Sequence, residues 1–299
     1  MTPEPEDYGQ HVSDNDYELP PPDILQPEET NDRPSRPSRA ERPVVSTLAN
    51  IVSTFADFLI VAIHTILYER QIYSPDLFIS TRAYNHPVRQ ARHPALCKWI
   101  QDAVDACSAQ ITEVWFPTAI VPKTYRYIDD SVRHLKGKAS KISLVVLSPN
   151  DFEPLERFVW DVSSFPRVPT AEQHTPFQSH EDPTALSGAI LADIEEQLRA
   201  SLGKISLASA RLSKLPQECT FTISIELKED APAPVGHTSP WVPSEERPVS
   251  KKTCEKAPLV RTSGSKTTPI RTVEAGALFM EMWIEESKLK EKAVSSLKP

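Results

Sequence analysis

From Leu48 onward, stretches whose apolar residues recur every third or fourth position give way to stretches where they recur every second position. Leu48, Ile51, Val52, Phe55, Phe58, Leu59, Ala62, Ile63 and Ile66 form a wide stripe at helical spacing. It predicts a long central helix over about 44–73, buried around most of its circumference. A short β-rich excursion follows (77–79 and 83–85). Pro94 then suits the first turn of a second helix over about 94–112, with Leu96, Ile100, Ala103, Val104 and Cys107 on its inner side. Residues 113–138 read as an inserted loop. Ile142-Ser143-Leu144-Val145-Val146-Leu147 reads as a buried strand. The turn-forming run Ser148-Pro149-Asn150-Asp151 joins it to a second strand carrying Phe158, Val159, Trp160 and Val162, so the pair predicts an antiparallel hairpin.

Asp182-Pro183 supplies an N-cap and a first-turn proline for a third helix reaching about 212. Its stripe is Leu186, Ile190, Ile194, Leu198, Leu202, Ile205 and Ala208. Cys219, Phe221, Ile223, Ile225 and Leu227 then alternate with polar residues, which predicts a strand with one face on a core and one in water. Between 229 and 272 periodicity fades and prolines accumulate around a lone Trp241. A last strand over 278–284 puts Phe279, Glu281 and Trp283 on one face and Met280, Met282 and Ile284 on the other, and the charged final residues are expected to fray. Helices and strands that do not alternate regularly predict one α+β domain, three helices packed on an antiparallel sheet.

Charge and composition narrow what such a domain can do. Residues 1–43 hold eleven acids against four arginines, nearly all of the chain's formal charge of −8. With so little apolar area to bury, this tail is expected to be disordered. The remainder is close to neutral and has no arginine-rich stripe, which argues against direct nucleic-acid binding. Glycine is scarce (7, against 29 prolines) and scattered singly, so neither a phosphate-binding loop nor a dinucleotide fingerprint can be built. Cys97, Cys107, Cys219 and Cys254 form no CxxC pair or metal-ligand spacing, as expected of reduced thiols in a cytosolic or nuclear protein. The N-terminus has no apolar signal region. Asn50, Asp57 and His64 interrupt the most apolar stretch, which marks it as a core helix rather than a membrane span, and His64 is expected to be a packed residue. No Ser/His/Asp or Cys/His set has a motif context, and Asp129-Asp130 sit in a loop without metal spacing. No catalysis, cofactor or metal is expected.

A series of short motifs adds a resemblance. Ile66-Leu67-Tyr68-x-Arg70-x-x-Tyr73 is similar to the HORMA family of spindle-checkpoint and related proteins. Tyr84-Asn85-x-Pro87-Val88, His93-Pro94, Ile100-Gln101-Asp102 and Pro154-Leu155-Glu156-Arg157-Phe158-Val159 resemble its B-type branch, the accessory subunits of DNA polymerase zeta. So do Leu198-Arg199-Ala200 with Lys204-Ile205-Ser206, Cys219-Thr220-Phe221-Thr222, Pro240-Trp241-Val242 and Pro269-Ile270-Arg271-Thr272, all in the family's order. The resemblance spans about 44–287; the acidic tail and the 113–138 insertion have no counterpart in it, and the belt segment between Val242 and Thr268 matches it poorly. It implies a HORMA-like fold with a C-terminal safety belt over about 229–272 and a charged tail over 288–299. It also implies a non-catalytic, nuclear adaptor for translesion synthesis, with no membrane attachment. Trp99 and Trp241 would contact a peptide of a catalytic B-family polymerase subunit. Glu281, Trp283 and Met280 would contact a Y-family scaffolding polymerase, and Arg199 would lie in a dimer with a second HORMA domain, identical or different. The alternative reading is a spindle-checkpoint or chromosome-axis HORMA signalling protein.

Overall fold

The computed structural model describes residues 44–115, 136–177, 189–228, 231 and 266–290. The chain divides into residues 1–41 and 42–299, and everything below concerns the second unit. The acidic tail, Asp182-Pro183, Trp241 and most of the expected belt lie outside the described residues.

Helix α1 (Leu48–Glu69) is the centre of the fold. The Thr47 side chain caps it by accepting the Asn50 N–H at 3.1 Å. Its far end stops at Arg70, where Gln71 turns into the left-handed region at φ 54°. The helix is shorter than the apolar stripe suggested because Val44–Val45 forms a strand, β1, that pairs with Ala189–Ile190, β8. By length and hydropathy α1 could cross a membrane, yet most of it is buried inside the domain. Strands β2 (Phe78–Ala83) and β3 (His86–Ala91) make a hairpin. Tyr84 and Asn85 both have positive φ, 50° and 55°, the conformation of a two-residue hairpin turn. The second part of the expected β excursion is therefore mostly that turn. Helix α2 (Pro94–Thr112) has the expected bounds. Two short strands, β4 (Val114–Trp115) and β5 (Lys136–Gly137), pair at the base of the expected insertion, whose middle lies outside the described residues.

The main sheet is built from β6 (Ala139–Leu147), β7 (Pro154–Asp161), β9 (Thr220–Leu227), β10 (Lys266–Ala275) and β11 (Leu278–Glu286). Its spatial order is β10-β11-β7-β6-β9, with every neighbouring pair antiparallel. The hairpin expected from 142–162 is present. Strand β10 corrects the expected irregular segment, which ends by Lys266; its Lys266–Ala275 stretch pairs with β11 around a bulge at Pro269–Arg271. Helix α3 (Leu191–Arg211) begins later than the Asp182-Pro183 signal implied, because Ile190 belongs to β8. The three helices lie on one face of the sheet. Ile142, Leu144, Val146, Phe158, Trp160, Met280, Met282 and Ile284 meet them there in one core with Phe58, Leu59, Ile63, Leu198 and Leu202.

Candidate functional site

The two outer strands of the main sheet are β9 and β10, and β9 has only β6 as a partner among the described residues. Strand alternation directs Phe221, Ile223 and Ile225 to the helix side, opposite Val146, Leu144 and Ile142 of β6. The expected split into a covered and a wet face is not what β9 shows: every residue from Thr220 to Leu227 is half-buried. An edge strand has a neighbour on one side only, so its apolar side chains stay partly open. Helix α2 leans over this edge and sets Trp99, 44 % exposed, against Phe221. Their rings stand edge to face with centroids 5.2 Å apart. Tyr73, just past α1, also stands edge to face with Phe221, with ring centroids 6.3 Å apart. The result is an aromatic cluster of Tyr73, Trp99 and Phe221 beside a backbone edge that no described strand pairs. Such an edge can donate and accept main-chain hydrogen bonds to an extended peptide while the aromatic side chains grip its side groups.

The opposite face of the sheet carries a ladder of charged side chains alongside buried Val145 and Val159. Lys141 Nζ donates to Glu226 Oε2 at 2.9 Å, and Arg157 Nη2 donates to Glu226 Oε1 at 2.6 Å. Arg157 Nη1 reaches Glu285 Oε2 at 3.4 Å, and Trp283 Nε1 donates to Glu285 Oε1 at 2.9 Å. Burial pushes the Glu226 carboxyl up, but hydrogen bonds from Lys141 and Arg157 outweigh it and hold the group below its usual range. This ladder crosses four strands, from β9 to β11. Glu281 is exposed and Trp283 half-buried on this face, which leaves both open to a partner. Met280 is 0 % exposed on the helix side. It packs in the core and has no surface to offer, which corrects its expected place among the partner contacts.

At the β11 end, the start of the expected tail is packed as far as Lys290, and residues 291–299 lie outside the described residues. Arg70 holds Glu156 with two hydrogen bonds, Nε to Oε2 at 2.8 Å and Nη2 to Oε1 at 2.7 Å. It also donates to the carbonyls of Ser209 (3.0 Å), in the last turn of α3, and Ser213 (2.7 Å), just beyond it. Lys290 Nζ donates to the same Glu156 and to Glu286 Oε2 at 2.9 Å. All three charged side chains are buried, Lys290 at 2 % exposure. Nothing local in the sequence brings these residues together.

Of the other expected residues, Arg199 is on the surface of α3 with Glu196 at 3.5 Å, and Trp241 lies outside the described residues. His64 is packed: its Nδ1 accepts the Ala91 N–H at 3.4 Å, and burial lowers its pKa to about 4. Cys107 is buried and its thiol is pushed up to about 12, well away from a reactive thiolate. Tyr73 and Phe221 were missed as site residues. Tyr73 stood in a quoted motif and Phe221 in a regular strand pattern, but only the sheet order shows that they meet at an edge.

The model of the HORMA domain family matches residues 52–237. The DNA polymerase zeta processivity subunit of Schizosaccharomyces pombe is 28% identical over 235 residues, covering 79% of this chain and 92% of the relative. The mitotic spindle assembly checkpoint protein MAD2B of Danio rerio is 27% identical over 245 residues, covering 80% and 92%. A solved structure of C. elegans HTP-2 bound to a HIM-3 closure motif has the same fold, with a TM-score of 0.51 and 16% identity over 81% of this chain and 92% of that one.

Proposed function

Because this chain belongs to the HORMA domain family, we propose that it is a non-catalytic adaptor of the polymerase zeta accessory type, acting in the nucleus. In this reading an extended peptide of a catalytic B-family polymerase subunit lies along the free edge of β9. The observation that carries the reading is the aromatic cluster of Trp99, Phe221 and Tyr73 at a strand edge with no partner among the described residues. Added strands gain affinity from main-chain hydrogen bonds and specificity from side-chain pockets. Trp241 remains the second candidate peptide contact, on the resemblance alone. Glu281 and Trp283 are the candidate surface for a Y-family scaffolding polymerase, since both stand on the face of the sheet turned away from the helices. Arg199, exposed on α3, is the candidate contact in a HORMA dimer.

The relatives named as processivity subunits and as checkpoint proteins give the test its two arms. The full chain would be tagged and recovered from nuclear extract, beside a Trp99→Ala/Phe221→Ala variant. Recovery of a B-family catalytic subunit by the first and not by the second supports the reading. Recovery of a checkpoint activator instead would establish the signalling alternative, and equal recovery by both chains would remove the β9 edge from the account.

A further inference from the structure

Between the end of α1 and the β2–β3 hairpin the chain turns sharply, and a Ser-Pro pair sits in that turn. Tyr73 sends its ring to Phe221, and Ser74-Pro75 follows directly. Ser74 is exposed, with φ −53° and ψ 134°, the polyproline-like backbone favoured before a proline. Pro75, Asp76 and Leu77 form a short 3-10 turn, each residue exposed, in which the Leu77 N–H donates to the Ser74 carbonyl at 3.0 Å. The Ser74 hydroxyl caps nothing in this turn. It is a side chain that the fold does not use.

The other Ser-Pro and Thr-Pro pairs among the described residues are placed differently. Ser148 is 7 % exposed, and its Oγ accepts the Glu153 N–H at 3.0 Å. Thr268 is held in β10 opposite Ile284 of β11. Thr175 is exposed, but it lies in the segment that runs past the start of α1, where the Phe177 N–H donates to the Ser46 carbonyl at 2.7 Å. Ser74 alone among them adjoins the aromatic cluster at the β9 edge.

We infer that Ser74 is a phosphorylation site for a proline-directed serine/threonine kinase, and that its phosphate releases the peptide from the β9 edge. The release rests on the peptide reading above; the modification does not. In the transfer, Ser74 Oγ attacks the γ-phosphorus of ATP, its proton passes to the kinase's carboxylate base, and ADP leaves as the bond to the bridging oxygen breaks. The product carries nearly two negative charges at neutral pH, directly beside Tyr73. Partial burial already raises the Tyr73 hydroxyl above its ordinary range, so charge is disfavoured at this spot. Asp76 adds charge of the same sign two residues on. A peptide gripping Tyr73 would have to strip water from the phosphate, and binding weakens by that cost.

The test begins with the full chain, ATP and a proline-directed kinase, with the modified residues mapped by mass spectrometry. Phosphate is expected on Ser74 of the folded chain, and none there would overturn the proposal. Modified and unmodified chains then serve as bait in nuclear extract held with phosphatase inhibitors. The bait concentration that half-saturates recovery of the B-family catalytic subunit should rise on the order of ten-fold or more on modification. Ser74→Ala should recover the subunit equally before and after kinase treatment. Thr175→Ala should lose it after treatment, as the wild type does. Equal melting temperatures of the modified and unmodified chains would show that the fold is intact. Equal recovery by both, or a loss that Ser74→Ala does not prevent, would overturn the release while the peptide reading stands. Failure of the peptide reading looks different: the unmodified chain and its Trp99→Ala/Phe221→Ala variant recover the subunit equally, and the release falls with it.

Discussion

At β9 the sheet ends in half-exposed aromatic and aliphatic side chains along a backbone edge that no described strand pairs, whereas at the β10–β11 end the chain is fastened to the core by buried charge. The first arrangement leaves hydrogen-bonding capacity and apolar area unspent, which is the condition for taking on another chain. The second uses its polar groups internally, with Glu156 accepting from both Arg70 and Lys290. The connection between them leaves β9 at one side of the sheet and returns as β10 at the other. Four strand spacings separate the two, roughly 19 Å. The C-terminal hairpin is thus committed to one side of the sheet, while the β9 edge has no strand partner among the described residues.

The largest effect is expected where the charge is buried. Glu156→Gln leaves Arg70 and Lys290 buried without their shared counter-charge, and breaking such a pair costs about 3–5 kcal/mol. Against a typical total of ~5–15 kcal/mol, urea denaturation should show a large drop in midpoint. Replacing all three groups with apolar residues should restore much of it. If Glu156→Gln leaves the midpoint unchanged, the C-terminal end is not fastened in this way and the contrast between the edges collapses.

Next comes the open edge itself. Trp99→Ala removes an exposed side chain, so the melting temperature should hardly move. Peptide affinity should fall by ~2–4 kcal/mol, roughly thirty- to a thousand-fold, as for anchor aromatics at interfaces. Calorimetric titration with the peptide of the recovered polymerase subunit checks this. An affinity within two-fold of wild type, with stability equally intact, would mean that the aromatic cluster is not the grip.

A pH effect sharpens the comparison by probing the helix layer that both edges share. The folded pKa of His64 is about 4, below the ordinary 6.5, because burial disfavours the charged ring and Nδ1 accepts the Ala91 N–H. The folded state therefore binds this proton less readily than the unfolded one. Its contribution is complete above pH 6.5 and is lost as pH falls toward 4, at about 1.4 kcal/mol per pH unit. His64→Gln, which keeps an acceptor but does not titrate, should flatten that part of the stability profile. An unchanged slope would place the acid sensitivity elsewhere.

How much of this was legible in the sequence depended on distance along the chain. Helix α2 kept its expected bounds because Pro94 and a clean apolar stripe are local signals. The alternation in β9 marked it as a strand and grouped Phe221, Ile223 and Ile225 on one side, but the same pattern suits a central strand and an edge strand, and the expected wet face is half-buried. The half-buried state of Phe221 was therefore invisible until the sheet order was known. Arg70, Glu156 and Lys290 are far apart in sequence and meet through β7, α1 and the turn after β11. No periodicity encodes that meeting, so Lys290 read only as part of a charged tail. Met280 was misplaced for a smaller reason: its neighbours Glu281 and Trp283 do point outward, and alternation sends it the other way.

The smallest expected effect tests whether the two ends of the sheet act separately. Trp283 on β11 is joined to Glu226 on β9 through Glu285 and Arg157, so a path of contacts does run between the two proposed partner surfaces. Contact alone is not coupling, however. The links are partly exposed ion pairs, and pairs of that kind contribute only ~0–1 kcal/mol each. Trp283→Ala leaves Arg157, Glu226 and Lys141 in place, and the β6–β9 pairing that positions the edge does not involve β11. Peptide affinity at β9 should therefore stay within about two-fold of wild type, far short of the loss from Trp99→Ala. A variant that lost the β9 peptide as severely as Trp99→Ala, at unchanged melting temperature, would show one cooperative surface. In that case the ladder of charges across the polar face would be the element that joins the two sites.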